Sequence, residues 1–223
     1  ELRTEFDARI NDSAHALLLP FAMDADLDHL GTTYHRTPRK IDESNTAYRS
    51  RIALAPDAKS LAGPINAYLY HALSASAEVK DAAFSSPTPN HVTLTILSTA
   101  DDGIATQALL DTVAAAVNPD DIRPQGDVVT VAAATLLRYS ISATLTIHPG
   151  PDAAVLLATA TTALRAYCNA QYRLGGFIAP SGIDRALHQP GVKKVTLSGF
   201  NEISTAADVA PFCTGITLTQ AAA

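Results

Sequence analysis

The sequence predicts an α+β fold, with an N-terminal helical segment followed by two small mixed α/β units of order β-β-α-β and β-α-α-β-β. Three observations carry that expectation. Apolar residues recur at helical spacing up to about residue 55, two-residue alternation takes over at Val92–Ile96 and again at Tyr139–Ile147, and Ala-rich helical runs separate the alternating stretches. The expected division is a helical segment at 1–55 with a loop at 32–44, a first α+β domain at 56–134 and a second at 135–223.

Phe6, Ile10, Ala14, Leu17 and Leu18 share a helical face up to Pro20, and Asp24 is placed to cap a second short helix carrying Leu27 and Leu30. This start reads as a helical hairpin. Thr32 to Ser44 holds Pro38, several charges and no apolar period, the pattern of a linker or exposed loop. Helix resumes at Asn45, with Tyr48 and Ile52 on one face, and ends at Pro56. Gly63-Pro64 opens the next helix, because proline at the first helical position loses no hydrogen bond, and Ile65, Tyr68, Leu69, Ala72 and Leu73 form its stripe.

From Val79 the pattern is that of a strand to Phe84, a turn over Ser85–Asn90, and a returning strand in which Val92, Leu94 and Ile96 alternate with Thr93 and Thr95. Asp101-Asp102-Gly103 leads into a helix with Leu109, Leu110, Val113, Ala116 and Val117 on one side, and a strand at Val128–Val131 follows. The second half opens with the strongest alternation in the chain, Tyr139, Ile141, Ala143, Leu145 and Ile147 against Ser140, Ser142, Thr144, Thr146 and His148. Pro149-Gly150-Pro151 ends that strand, a helix runs from about Asp152 to Tyr172, and Leu174-Gly175-Gly176 closes it. Ser181 is placed to cap a short helix to Leu187, and strands at Lys193–Ser198 and Thr214–Thr219 complete the unit.

With 47% hydrophobic and 17% charged residues in 223, the chain has the apolar content for a packed core and too few charges for a disordered segment. Its formal net charge is −6, and no block of Lys and Arg interleaves with aromatics, which argues against a nucleic-acid surface. No apolar run reaches the roughly 20 residues of a membrane span. Cys168 and Cys213 lack paired spacing, so neither a zinc site nor a disulfide framework is expected, and a reducing cytoplasm fits as the place of synthesis. The chain begins at Glu1, which suggests an N-terminal stretch preceding it.

The search for chemistry returns plain readings. Asp24, Asp26 and Asp28 open like a calcium loop, but His29 stands where the loop needs Gly and His35 where it needs Glu, leaving carboxylates at a helix N-terminus. Ser181 and Ser198 lie outside any G-x-S-x-G elbow, and Gly175-Gly176 follows a helix, not the strand that a phosphate loop requires. Cys168, near Leu164 and Tyr167, reads as a buried inert thiol. No catalytic, cofactor-binding or metal-ligating residue is therefore assigned. The alternative is a small-molecule enzyme on an α+β fold with dispersed catalytic residues, which would require a deep pocket of convergent polar groups.

Several strings, in order, resemble the baseplate assembly protein J family of contractile-tailed phages and tailocins. They are Asp26-Leu27-Asp28-His29-Leu30-Gly31, Tyr48-Arg49-Ser50-Arg51-Ile52, Ala62-Gly63-Pro64, Tyr68 with Tyr70-His71-Ala72-Leu73-Ser74, Ser85-Ser86-Pro87-Thr88-Pro89, Ile96-Leu97-Ser98, Asp121-Ile122-Arg123-Pro124 and Val129-Thr130-Val131. The second half adds Ala143-Thr144-Leu145, Pro149-Gly150-Pro151, Arg173-Leu174-Gly175, Ala186-Leu187-His188, Pro190-Gly191-Val192 and Cys213-Thr214. The chain departs from the pattern at Gly176-Phe177-Ile178, where a charged pair is expected before the Ile, and around Asn201–Pro211.

The resemblance implies a non-enzymatic wedge subunit of the virion tail baseplate, linking the central hub and tube to the sheath and taking part in assembly and contraction triggering. It implies other wedge and tail proteins and further copies of the chain as partners, with no nucleic acid, membrane or small-molecule ligand. It also implies a helical segment before Glu1. An adaptor of a bacterial contractile injection system would share the fold and differ only in the particle. Within the chain, the first helical hairpin and the Thr32–Ser44 loop are the expected docking surface, because the hairpin's apolar stripe needs a partner.

Overall fold

A computed structural model describes residues 2–60, 63–100, 102–120, 122–148 and 152–221. The expected turns and ends at Ala62, Asp101, Asp121 and Pro149–Pro151 lie wholly or partly outside those residues, as does Glu1. The chain is α+β, as expected, and divides into two units: residues 1–94 with 106–132, and residues 95–105 with 133–223.

The first unit begins with α1 (Leu2–Ala16) and α2 (Asp24–His29), continues through a π-helical turn (Leu30–Tyr34) and α3 (Asn45–Leu54), and then α4 (Ile65–Ala75). The expected hairpin is not a packed one. Phe6 and Ile10 of α1 are 65% and 52% exposed, whereas Leu27 and Leu30 are buried with Ala22, Tyr48 and Ile52. The apolar content of α2 thus goes to α3. Asp24 does not cap α2 either: the N-cap is Met23, Asp24 has φ +45°, and its carboxylate accepts from Asn45 Nδ2 at 2.9 Å.

Ser44 caps α3, its hydroxyl accepting from the Ala47 N–H at 3.2 Å, which satisfies one of the open donors of the first turn. In α4, Pro64 is the extended N-cap residue, one position earlier than expected. The buried face is Ala67, Tyr68 and Ala72, and Ile65 is 53% exposed, so the stripe is rotated from the expected one.

β1 (Val79–Thr88) and β2 (His91–Ser98) form a hairpin that is longer than expected. Ser85–Thr88 continue the strand, and the reversal narrows to Pro89-Asn90, where Asn90 takes φ +63°. Asn tolerates this left-handed conformation better than most side chains. α5 (Gln107–Val117) is capped by the Thr106 hydroxyl and buries Leu109, Leu110, Val113 and Val117. β3 (Val128–Ala133) completes the sheet order β1-β2-β3.

The second unit is built on β4 (Thr135–Ile147), whose Tyr139, Ile141, Ala143 and Leu145 form one core with Ala160, Leu164 and Cys168 of α6 (Ala153–Gln171). Beyond α6 come β5 (Phe177–Ile178), α7 (Pro180–Leu187), β6 (Val192–Leu197), β7 (Ile203–Ser204) and β8 (Val209–Gln220). The expected β-α-α-β-β order is present, with the two-residue ladder β5-β7 added. β4 pairs antiparallel with β6 and parallel with β8, giving the order β6-β4-β8.

β8 starts five residues before the expected Thr214, because Pro211 breaks the strand pattern in the sequence yet is tolerated on an edge strand. The N-cap of α7 is Ala179 with Pro180 after it, so Ser181 lies inside the first turn and does not cap it. Thr95–Ala105, expected with the first domain, groups with the second unit. Leu97 packs with Ala134 and Ala210, Tyr172 donates its hydroxyl to the Asp102 carbonyl at 2.6 Å, and Arg138 binds the Asp102 carboxylate at 2.5 Å.

Candidate functional site

The expected docking region, α1 through Ser44, separates into a pinned loop and an uncovered apolar surface. The loop is no linker. Thr37 is fully buried, its carbonyl accepting from Tyr48 Oη at 2.6 Å and its hydroxyl sharing a hydrogen bond with Tyr70 Oη at 3.0 Å. Arg39 holds Asp28 at 2.5 Å and the Glu43 carbonyl at 3.0 Å. Lys40 Nζ donates to the carbonyls of Leu73 and Ser76 at the end of α4, where a cation complements unpaired carbonyls. Glu43 accepts from Arg51 Nε and Nη2 at 2.8 and 2.7 Å, with the two side chains at 5% and 4% exposure.

Tyr48 organises this loop. Its ring carries the Arg39 guanidinium 4.5 Å from its centre and that of Arg51 at 5.4 Å, a doubly cationic environment for one aromatic face system. Burial pushes its hydroxyl above the ordinary tyrosine value. Gly31 makes room: a Cβ there would stand 2.0 Å from Tyr48 Oη. The string Asp26–Gly31 therefore needs its glycine for close approach.

Outside this polar lock, the connection from α1 to α2 is fixed by Arg49, which donates to the carbonyls of Leu19 and Ala22 at 2.8 and 2.7 Å. The side chains around it face outward. Phe6, Ile10, Leu17, Leu18, Phe21 and Met23 are each about half exposed or more. Phe21 stacks on His15 at 4.7 Å beside an open groove bordered by Asp12, Ala16, Met23 and Asp26. Leu17, Leu18, Phe21 and Met23 left in solvent at one anchored turn, with Phe6 and Ile10 exposed earlier on α1, mark a contact surface more than a catalytic one.

The residues considered for chemistry do not converge. Asp24 and Asp28 are engaged by Asn45 and Arg39, while Asp26 lies on the groove. Ser181 and Ser198 are exposed, on α7 and after β6. Among the described residues no three His, Cys, Asp or Glu side chains are placed to hold a metal, and no helix is long and apolar enough to cross a membrane. Cys168 is buried as expected, but Cys213 packs on the same core, opposite Tyr139 of β4. Nothing in the spacing of the two cysteines signals that meeting, because it arises from the pairing of β8 with β4.

Two segments expected to depart from the family pattern also meet. Phe177 pairs with Ser204 and Ile178 with Ile203, while the Thr205 hydroxyl donates to the Gly176 carbonyl at 2.9 Å. Gly176–Ile178 and Ile203–Thr205 are therefore joined at one small ladder.

Against known proteins, the Baseplate J-like N-terminal domain matches residues 3–45 and the Baseplate J-like central domain matches residues 60–133. The curated Baseplate protein J of Escherichia phage P2 is 39% identical over 221 residues, covering 92% of this chain and 73% of the phage protein. The chain belongs to the Baseplate J-like family. Its Baseplate J-like fold is shared with a chain in the cryo-EM structure of the anti-feeding prophage baseplate, at a TM-score of 0.51 and 15% identity. That likeness covers 79% of this chain and 42% of the prophage chain, so the Baseplate J-like chain spans under half the length of that relative. The N-terminal family domain contains the pinned loop and the exposed apolar residues of α1, which assigns the candidate surface to a recognised part of the family.

Proposed function

We propose that this chain is a non-enzymatic wedge subunit of a contractile-tail baseplate, joining the central hub and tube to the sheath and taking part in assembly and contraction triggering. The observation that carries the reading is the exposed apolar set Phe6, Ile10, Leu17, Leu18, Phe21 and Met23 within the family's N-terminal domain, where Arg49, just beyond that domain, anchors the α1–α2 connection. A surface of this composition is stabilised by burial against a partner, at about 25 cal/mol per Å² of apolar area covered. Its partners are other wedge and tail proteins and further copies of the chain, in a virion tail. The three-part division at 1–55, 56–134 and 135–223 belongs to the same reading, the first part docking and the other two forming the scaffold.

Imaging of intact tails decides it. Density for this chain in the baseplate, with α1 to α2 against a neighbouring protein, is the expected result. Its absence from the baseplate of assembled particles would overturn the reading.

A further inference from the structure

Two cysteines separated by α7 and three strands meet in the second unit. Cys168 is buried on the inward face of α6, in one core with Tyr139 and Leu164. Cys213, half-buried, packs on that core from β8 and pairs directly with Tyr139 of β4. Both thiols are free, and the Cys213 thiol donates to the Gly215 carbonyl at 3.6 Å. The Tyr139 hydroxyl, in the same core, is buried without a hydrogen-bond partner among the described residues.

The strand is held in register at this point. Pairing passes from Tyr139–Cys213 to Ser140–Gly215, leaving Thr214 as an extra residue whose hydroxyl donates to the Tyr139 carbonyl at 2.9 Å. Cys213 is thereby kept against α6. We propose that Cys168 and Cys213 are a redox-closable pair, joined by hydrogen peroxide into an intrachain disulfide that fastens the edge strand β8 to helix α6.

The two sulfurs have different roles. The neighbouring Cys168 thiol holds the Cys213 thiol below the ordinary cysteine value, against the opposing effect of burial, while the same neighbourhood and burial push Cys168 up. A partly exposed thiolate beside a second thiol is the arrangement of a redox-sensitive cysteine and its resolving partner. The Cys213 thiolate attacks one peroxide oxygen, forming an S–O bond as the O–O bond breaks and hydroxide leaves. Hydroxide takes the Cys168 proton, and the Cys168 sulfur then attacks the Cys213 sulfur. The S–S bond forms, the S–O bond breaks, and the departing hydroxide is protonated. Two thiols and one peroxide give one disulfide and two waters.

The consequence is mechanical. β8 is an edge strand, paired to β4 along one side. A bond from its middle to α6 prevents it from leaving the sheet alone, and constrains the unfolded chain as well. This chemistry does not depend on the baseplate reading.

The test is oxidation of the folded full chain with hydrogen peroxide, followed by alkylation in denaturant, intact mass and a non-reducing digest. Expected are a mass lower by two hydrogens, no alkylation, a linked peptide containing Cys168 and Cys213, and reversal by dithiothreitol. The oxidised chain should unfold at a higher denaturant concentration than the reduced one. With C168A the expected product is a Cys213 sulfenic acid trapped by dimedone, and with C213A an unmodified Cys168. Two thiols that both remain alkylatable, disulfides between chains, or a cross-linked chain that unfolds earlier than the reduced one would each overturn the proposal.

Discussion

Arg51 holds Glu43 through two hydrogen bonds, at 2.8 and 2.7 Å, with both side chains almost completely withdrawn from solvent. This pair joins the loop before α3 to the helix itself, and Arg51 also donates to the Pro38 carbonyl at 2.8 Å. Removing one partner leaves the other charge buried and unpaired. R51A or E43A should therefore cost about 3–5 kcal/mol in guanidinium unfolding of the chain. The double variant R51M/E43L should lose much less than the sum of the single changes, because no unpaired charge remains.

The same pair sets an acid dependence. Burial acts to raise the Glu43 carboxyl, but hydrogen bonds from Arg51 and the Lys40 backbone N–H outweigh it, leaving the group below its ordinary value. A carboxylate depressed in the folded state contributes stability that is present above its unfolded value, about 4.3, and is lost as pH falls through the folded value. Unfolding followed from pH 7 downward should show an acid loss that is smaller in E43Q, since glutamine has no proton to take up.

Gly31 and Gly126 separate close approach from mere sequence identity. A Cβ at Gly31 would meet Tyr48 Oη at 2.0 Å and Ile52 Cδ1 at 2.8 Å, whereas one at Gly126 would meet nothing within 4 Å. G31A should destabilise by about 1–3 kcal/mol through overpacking. G126A should stay within about 0.5 kcal/mol, as surface changes do. Equal effects of the two in thermal unfolding would contradict the packing around Tyr48.

Tyr68 is buried in α4 and donates its hydroxyl to Asp127 at 2.6 Å, tying α4 to the segment before β3. A hydrogen bond to a carboxylate contributes about 1.5–3 kcal/mol. Y68F should lower stability by that amount while leaving the tilted ring contact with Phe84 in place, measured by chemical unfolding and near-ultraviolet circular dichroism.

Phe6 and Ile10 distinguish assembly from folding. Both are more than half exposed on α1, so F6E/I10E should leave the unfolding midpoint of the isolated chain within about 0.5 kcal/mol of the parent. Incorporation into tails, measured by the amount of this chain in purified particles, should fall. Unchanged incorporation would remove α1 from the docking surface.

Much of the local structure was legible because periodicity reports directly on which face of an element is buried. The alternation from Tyr139 to Ile147 becomes β4 with its inward Tyr139, Ile141, Ala143 and Leu145, and the run from Leu109 to Val117 becomes the buried face of α5. The ordered strings from Asp26 to Thr214 identified the family. The loop at 32–44 reads in the sequence as a linker or exposed loop, and its anchoring does not show there because the anchors are polar: Thr37, Arg39, Lys40 and Glu43 have no hydrophobic period to betray them.

By itself, then, the sequence determined the helix and strand order, the apolar faces and the family, all of which depend on neighbours a few residues apart. Tertiary structure alone decided that α2 packs on α3 while Phe6 and Ile10 stay exposed, and that Gly176–Ile178 meets Ile203–Thr205. It also packed Cys213 on the core that holds Cys168. Each of these is a long-range pairing fixed by strand register or by a buried hydrogen bond, and such a pairing leaves no spacing in the chain to read.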